Sequence, residues 1–322
     1  MSRVRLTGAL LGAALLAYLV HRVGVEPLLA QLSALSWYSP LLLIPYGLVA
    51  VLDTLGWRYT FGRRLPAFAT LFPVRMAGEA VNLTTPTASL GGEPVKAYLL
   101  TRARVSLEEG LASVVIAKTT LVLAQGLFLF LGLGLALGLL GATSPLLRAM
   151  GVLFVLGGLG VGGLLFAQQR GFFGGGGRLL RWVGLIRGVQ GRLHRLDSEI
   201  AAFYKSRRGR FGLSVLFHLL GWLAGSLEVY LALWLLGVPV DLATAVAIEA
   251  FASAIRAAGF LIPGALGVQE GGNVAICLAF GLTAGVGLAF SVVRRLRELA
   301  WAAAGFGVLV SWGALRRPRR ER

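Results

Sequence analysis

Ionisable side chains inside long apolar stretches are the residues of this sequence best placed to do chemistry. Five of them are bases: Lys118, Arg256, Arg294, Arg295 and Arg297. Each charge at the centre of a bilayer costs about 2.5–3.5 kcal/mol, so we expect these side chains to face one another or a water-filled cavity. The guanidinium fork and the lysine ammonium both suit phosphate oxygens. Five bases need anionic partners, and a phosphate headgroup is a natural one.

Acidic residues occur in the same apolar stretches and offer a second interpretation, in which the charges only form structural ion pairs. They are Glu79, Glu93, Glu228, Glu249, Glu270 and Glu298. On a helix, Arg294 and Glu298 are four residues apart and Arg295 and Glu298 are three apart, and both spacings allow a pair. The spacing alone does not decide between ion pairs and a ligand site.

Familiar catalytic and metal-binding motifs are missing from the sequence. Cys277 is the single cysteine, and the three histidines lie too far apart for zinc-type spacing. There is no Walker loop, no G-x-S-x-G and no H-E-x-x-H. We therefore expect no cofactor, no metal and no catalytic residues. Transport, if the chain performs it, is expected to be uncoupled or driven by ions.

The composition predicts an all-α, polytopic membrane protein. Of 322 residues, 57% are hydrophobic and 14% are charged, whereas a soluble chain carries about 25% charge. The net charge of +17 first suggests a nucleic-acid partner. In so apolar a chain, an excess of basic residues in cytoplasmic loops explains the charge better, and we expect no nucleic acid.

Six stretches are apolar enough to be read as membrane helices, and two more are interrupted by proline and glycine. The six are Leu6–Val20, Leu41–Trp57, Leu111–Leu140, Pro145–Ala167, Phe211–Leu236 and Leu282–Trp312. Leu6–Val20 also fits a cleaved signal peptide, but no small-residue cleavage site follows it. The interrupted stretches, Ala67–Leu100 and Ala245–Gly281, predict re-entrant helical hairpins. We expect about six to eight transmembrane helices in all.

Basic residues predict the orientation of the chain. They concentrate in the 57–66 loop, in the 168–210 loop and at the C-terminus. Both termini and these loops are therefore expected on the cytoplasmic side of a bacterial inner membrane. Within the 168–210 loop, apolar residues at helical spacing indicate an amphipathic helix lying on anionic lipid, and the alternative is a solvated connector.

The two interrupted stretches align when the sequence is shifted by 177 residues. Pro86 then falls on Pro263, Glu93 on Glu270 and Lys118 on Arg295. We expect a single membrane domain, 1–322, with one repeat at about 41–140 and another at about 211–313, separated by the basic loop 168–210. The first copy is entered from the cytoplasm and the second from outside, so the repeats are predicted to be inverted. Inverted repeats with interrupted helices are typical of transporters.

Two motifs resemble the signatures of a known family. The first is Gly78-Glu79-Ala80-Val81-Asn82, then Pro86, then Gly91 to Leu100, and the second is Pro263 to Glu270. They resemble the lysylphosphatidylglycerol synthase transmembrane (flippase-like) family, which includes the membrane domain of the multiple peptide resistance factor. The resemblance covers roughly residues 6–313. Lys96 stands where arginine is expected, and Ala265 replaces a second glycine.

The resemblance implies a lipid flippase or transporter that moves a phospholipid, or another lipid with a polar headgroup, between leaflets. Its partners would be membrane lipids with anionic headgroups, and a homo-oligomer is left open. Because the sequence stops at Arg322, we expect no aminoacyl-transferase activity. The alternatives are a membrane-embedded lipid-modifying enzyme and a non-transporting scaffold of a lipid-synthesis complex. The expected substrate-binding residues are Glu93, Lys96, Lys118, Arg256, Glu270 and Arg295, with Glu79, Asn82, Arg294 and Glu298 as additional cavity residues.

Overall fold

A computed structural model describes residues 39–85, 91–169, 190–259 and 262–314, together with isolated positions between 21 and 29. The predicted first span, Leu6–Val20, lies outside the described residues, and so does Pro86. Within the described ranges the chain forms helices and no strands. A short 3-10 turn, Ser39–Leu42, comes first. It is followed by α1 (Leu43–Arg58), α2 (Phe68–Thr84), α3 (Gly92–Thr101), α4 (Leu107–Leu140), α5 (Pro145–Gln169), α6 (Gln190–Ser206), α7 (Arg208–Leu235), α8 (Leu242–Ala258), α9 (Val268–Ala279) and α10 (Ala284–Ala314).

Polar caps fix where two of these helices begin. The Ser106 side chain accepts the backbone N–H of Glu109 at the start of α4, which is why this helix begins before the predicted Leu111. The Asp241 carboxylate accepts the backbone N–H of Thr244 at 2.7 Å at the start of α8. The same hydrogen bond lowers the pKa of Asp241 from its usual value. Such caps satisfy N–H groups that the first helical turn leaves without partners.

Four helices of the described chain are long and apolar enough to cross a membrane, over residues 40–58, 107–140, 145–168 and 208–235. The 31 residues of α10 extend about 46 Å, which also exceeds the bilayer core. Its middle carries four charged residues, from Arg294 to Glu298. The chain is thus an all-α, polytopic membrane protein, as predicted.

The two interrupted stretches form helical hairpins, also as predicted. The first hairpin pairs α2 with α3, and the second pairs α8 with α9. With 10 and 12 residues, α3 and α9 extend only about 15–18 Å and are too short to cross the core. In the break of the second hairpin, Gly264 and Gly267 have φ values of 59° and 76°, a left-handed conformation that favours glycine.

The predicted 177-residue shift carries helices onto helices. It places α2 on α8, α3 on α9 and α4 on α10, and it moves Leu107, the first residue of α4, onto Ala284, the first residue of α10. Contacts between the halves follow the same rule. Helix α2 packs on α10 and its counterpart α8 packs on α4, while α1 packs on α7. Reciprocal contacts of this kind are those expected of two units related by a two-fold axis.

The apolar face of the amphipathic helix α6 packs on the protein, whereas the sequence-based expectation placed it on anionic lipid. Its apolar residues Leu196, Ile200 and Phe203 are buried and pack against Ala112 and Ile116 of α4. Ion pairs reinforce this position, with Arg63 bound to Glu199 at 2.9 Å and Arg195 to Glu108 at 3.6 Å. An amphipathic pattern shows that one face seeks an apolar surface, but it does not say whether lipid or another helix supplies it.

Candidate functional site

Among the described residues, the charged side chains of the apolar stretches form two clusters, one around each hairpin. The first cluster contains Asp53 of α1, Arg75 and Glu79 of α2, Glu93 and Lys96 of α3, and Lys118 of α4, with His218 of α7 at its edge. The second cluster contains Glu228 of α7, Glu249 and Arg256 of α8, Glu270 of α9, and Arg294, Arg295, Arg297 and Glu298 of α10.

Glu93 is the junction of the first cluster. Its carboxylate lies 3.2 Å from the ammonium of Lys96 and 3.0 Å from that of Lys118, so it ties α3 to α4. Lys96 also reaches Glu79 of α2 at 2.6 Å. The amide of Asn82 donates to Glu93 at 3.1 Å and its carbonyl accepts the Gly92 N–H at 2.7 Å. Asn82 thus bridges the two arms of the first hairpin.

Asp53 anchors the other side of the first cluster. One of its oxygens accepts Arg75 Nη2 at 2.7 Å, and the other lies 3.0 Å from Nδ1 of His218. These three residues were not among the predicted site residues. The signal was present, because Asp53 and His218 lie within predicted spans and Arg75 lies within an interrupted stretch, and polar groups at such positions indicate function by default.

Arg294 is the centre of the second cluster. It is 1% exposed, binds Glu249, and has its Nε 3.7 Å from Glu228. Glu249 also binds Arg256 at 3.0 Å, and Glu228 binds Arg297 at 3.1 Å. These contacts join α7, α8 and α10.

Arg295 and Glu298 complete the second cluster. Arg295 lies 2.7 Å from Glu270 and 3.0 Å from Glu298, and Glu298 lies 3.5 Å from Arg297. The predicted pair of Arg295 with Glu298 is therefore present. Arg294 is bound to acids of α7 and α8 instead of Glu298.

Each of the five bases in the apolar stretches is paired with a carboxylate of the protein. Lys118, Arg256, Arg294, Arg295 and Arg297 each lie within 4.0 Å of at least one. The first cluster holds three acids and three bases besides His218, and the second holds four of each. With a neutral His218, the two clusters together carry no net charge. The acids of the apolar stretches thus supply partners for these bases, as the ion-pair interpretation expects, and a ligand anion would have to displace or join a carboxylate.

The first turn of each short helix, α3 and α9, contains a glutamate whose carboxylate occupies the place where an anionic ligand could bind. Glu93 and Glu270 occupy the first turns of α3 and α9, and Glu270 accepts the Gly267 N–H at 2.6 Å. A carboxylate at this position satisfies backbone N–H groups and interacts favourably with the helix dipole. The hydroxyls of Thr84 and Thr85, at the end of α2, donate to the carbonyls of Ala80 and Val81.

A cavity of about 520 Å³ lies between the two halves and connects the clusters. The predicted residues that line it are Glu79, Asn82, Lys118, Arg256, Arg294, Arg295 and Glu298. Glu93 and Lys96 line a smaller neighbouring cavity of about 40 Å³. Glu270 is 2% exposed and reaches the large cavity only through its ion pair with Arg295.

Several residues that line the large cavity carry buried N–H groups for which the described part of the chain supplies no acceptor. They belong to Arg75, Gln269, Arg294, Arg295, Arg297 and Trp301. A buried donor without a partner costs about 1–3 kcal/mol. These N–H groups are covered by protein, so a ligand in the cavity would reach them only after the side chains turn toward it. Among the described residues, no group of three or more His, Cys, Asp or Glu side chains is arranged to hold a metal ion.

Comparison with known proteins matches residues 5–307 to the lysylphosphatidylglycerol synthase TM region. The chain belongs to this family. One related protein is a UPF0104 membrane protein of Methanothermobacter thermautotrophicus, which is 26% identical over 260 residues, or 74% of this chain and 73% of the relative. No solved structure gives a significant match. Membership of this family identifies a membrane protein of lipid metabolism or transport.

Proposed function

We propose that this protein is a lipid flippase or transporter that moves a phospholipid, or another lipid with a polar headgroup, across a bacterial inner membrane. The observation that carries the proposal is the cavity of about 520 Å³, which is lined by both halves of the chain and by the cationic residues Lys118, Arg256 and Arg295. A headgroup phosphate offers several oxygen acceptors that suit such cations.

The positions of the two clusters along their helices support a path for the headgroup. Lys118 lies eleven residues after the start of α4, and Arg295 lies eleven residues after the start of α10, which places each base about 16 Å from that end. If the halves are inverted, α4 and α10 begin at opposite membrane surfaces. The first cluster then lies nearer the cytoplasmic leaflet and the second nearer the outer leaflet, with the cavity between them.

In this proposal the bases Lys118, Arg256 and Arg295 hold the phosphate as it passes, and the glutamates Glu93 and Glu270 hold Lys118 and Arg295 when no lipid is bound. Exchanging a carboxylate partner for a phosphate keeps each buried base paired, so it avoids the cost of an isolated charge. Lys96 and Glu79 keep the first hairpin in place. Asn82, Arg294 and Glu298 position the groups around them.

The test is reconstitution of the full chain in liposomes with a headgroup-labelled anionic phospholipid, reading leaflet exchange by quenching of the outer label. We expect exchange with the wild type and much slower exchange with Arg295→Gln. Lys205→Gln is the matched control, because Lys205 is an exposed cation on α6, away from the cavity. Absence of exchange by the wild type with every phospholipid tested would refute phospholipid as the cargo, and the same assay with other headgroup-labelled lipids would then test the rest of the proposal.

A further inference from the structure

His218 is a buried titratable group that the proposed lipid path does not use. It is 3% exposed, and its ring packs so tightly on Gly56 that a Cβ there would lie 2.8 Å from the ring. Its Nδ1 lies 3.0 Å from the Asp53 carboxylate. Its Nε2 is buried and has no hydrogen-bond partner in the described part of the chain.

The Asp53 contact determines which nitrogen of His218 is available to a proton. A carboxylate only accepts, so Nδ1 carries the hydrogen of the neutral ring and Nε2 keeps its lone pair. The second oxygen of Asp53 is held by Arg75 at 2.7 Å, which fixes the orientation of the carboxylate. Nε2 is therefore a proton acceptor of fixed orientation. If it takes up a proton, the adjacent Asp53 carboxylate stabilises the imidazolium.

A small cavity lies beside the His218–Asp53 pair. His218 lines the cavity of about 40 Å³, which has room for at least one water molecule. This cavity shares Asp53, Arg75, Glu79 and Lys118 with the large cavity. Water in these cavities would be the source of a proton for Nε2, which is itself covered by protein and would receive it only as the ring or its neighbours move.

The charged groups around His218 come from the helices packed near it. In the small cavity they are Asp53 of α1, Arg75 and Glu79 of α2, Glu93 and Lys96 of α3, and Lys118 of α4. Helices α8 and α10 place Glu249, Arg294 and Arg297 around Glu228, ten residues further along α7, or about 15 Å away. Helix α6 directs Glu199 to Arg63 and Arg195 to Glu108.

Charge balance links a proton at His218 to an anionic headgroup. The acids and bases of the clusters cancel when His218 is neutral, so a phosphate monoanion that enters adds an uncompensated negative charge. Electrostatic interactions are strong in such a poorly solvated site, and a nearby negative charge favours the protonated form of a histidine. Binding of the anion and of one proton should therefore reinforce each other, and by linkage the effect is reciprocal.

We propose that His218 and Asp53 form a proton-binding site that is loaded when an anionic phosphate headgroup enters the cavity, so that lipid and proton move together. The Nε2 lone pair takes a proton from water, no other bond breaks, and the proton leaves when the lipid leaves. This inference rests on the proposed function. It names the proton as the coupling ion, since a transmembrane proton gradient would then drive lipid transport.

Proton uptake by the purified full chain in weak buffer tests this site, with short-chain phosphatidylglycerol as the anionic probe and short-chain phosphatidylcholine as the net-neutral probe. We expect uptake with phosphatidylglycerol and none with phosphatidylcholine. The apparent affinity for phosphatidylglycerol should fall by up to about tenfold per pH unit as the pH rises. His218→Gln should abolish both effects, whereas His194→Gln, at an exposed position on α6, should leave both intact.

Phosphatidylglycerol that binds without proton uptake by the wild type would overturn the proton site and leave the lipid transporter standing. The same holds if uptake persists unchanged in His218→Gln. If His218→Gln does not fold, the wild-type comparison still tests the proposal, because equal uptake with both lipids would overturn it. Inorganic phosphate is the third probe. If it alone drives uptake and no phospholipid binds, the proton-linked anion site stands and the lipid function fails.

Discussion

Lys118 Nζ lies 3.0 Å from Glu93 Oε1 and joins the short arm of the first hairpin to the long helix that follows it. The residues 177 positions later, Arg295 and Glu270, form the corresponding pair at 2.7 Å. In both pairs the glutamate lies in the first turn of the short helix and the base lies eleven residues into the long one. The two hairpins are thus fastened to their long helices in the same way.

Two glycines at corresponding positions allow these helices to approach closely, and their substitution should separate them. A Cβ at Gly287 would lie 2.7 Å from Val274 Cα, and one at Gly110 would lie 3.3 Å from Ala97 Cα. We expect Gly287→Ala to cost about 1–3 kcal/mol by overpacking, and Gly110→Ala to cost less. Thermal unfolding in detergent measures both. Gly134→Ala is the control, since nothing lies within 4 Å of a Cβ there. Equal unfolding temperatures for Gly287→Ala and Gly134→Ala would contradict the prediction.

The position of α6 on α4 predicts that Phe203 holds the basic loop against the protein. Phe203 is 1% exposed, and its truncation to alanine should cost about 3–5 kcal/mol of packing. We expect Phe203→Ala to speed cleavage of the 168–210 loop by trypsin, with His194→Ala as the exposed control. A variant that is cleaved at the wild-type rate yet binds anionic vesicles less well would indicate instead that α6 lies on lipid.

The predicted orientation can be checked by labelling single cysteines in a Cys277→Ala background. Thr143, between α4 and α5, and Ser206, at the end of α6, are both exposed. Because basic residues concentrate in cytoplasmic loops, a membrane-impermeant maleimide should label Thr143→Cys in intact cells and Ser206→Cys only after permeabilisation. The Cys277→Ala chain alone should stay unlabelled. The opposite pattern would reverse the orientation of the whole chain.

The sequence predicts the helices and hairpins well because length, hydropathy and the proline and glycine interruptions are local properties. Both hairpins and the 177-residue correspondence are visible in the residue pattern. The ion-pair partners of the charged residues could not be predicted in the same way. Helical spacing suggested Arg294 with Glu298, but Arg294 binds Glu249 and Glu228 of other helices, and a tertiary contact of this kind leaves no trace in the spacing of residues on one helix.

The same limit explains the groups that sequence reasoning missed. Asp53 and His218 come from α1 and α7, 165 residues apart, and each is a single polar residue in an apolar span. Only the packing of α1 against α7 shows that these two residues form a pair. The position of α6 was missed for a related reason, since its apolar face fits lipid and protein equally well.

Neutralising Lys118 and neutralising Arg294 should have different consequences, which separates a transport role from a structural one. The Lys118 side chain is 31% exposed and lines the cavity, and without it Glu93 keeps Lys96. Lys118→Gln should therefore fold and exchange lipid slowly. The Arg294 side chain is only 2% exposed, and Arg294→Gln should lose about 3–5 kcal/mol because it weakens the pairing of two buried carboxylates. Thermal unfolding and leaflet exchange in liposomes, measured on the same preparations, give both quantities.

Lys118→Arg is the matched variant, because arginine already occupies the corresponding position 295 in the second half. It keeps the charge and adds the fork that binds phosphate, so we expect exchange close to the wild-type rate and well above that of Lys118→Gln. If Lys118→Gln destabilises the chain as much as Arg294→Gln does, Lys118 is a structural ion-pair partner of Glu93. If Lys118→Gln folds and still exchanges lipid at the wild-type rate, Lys118 does not hold the phosphate, and the site would rest on the bases of the second cluster alone.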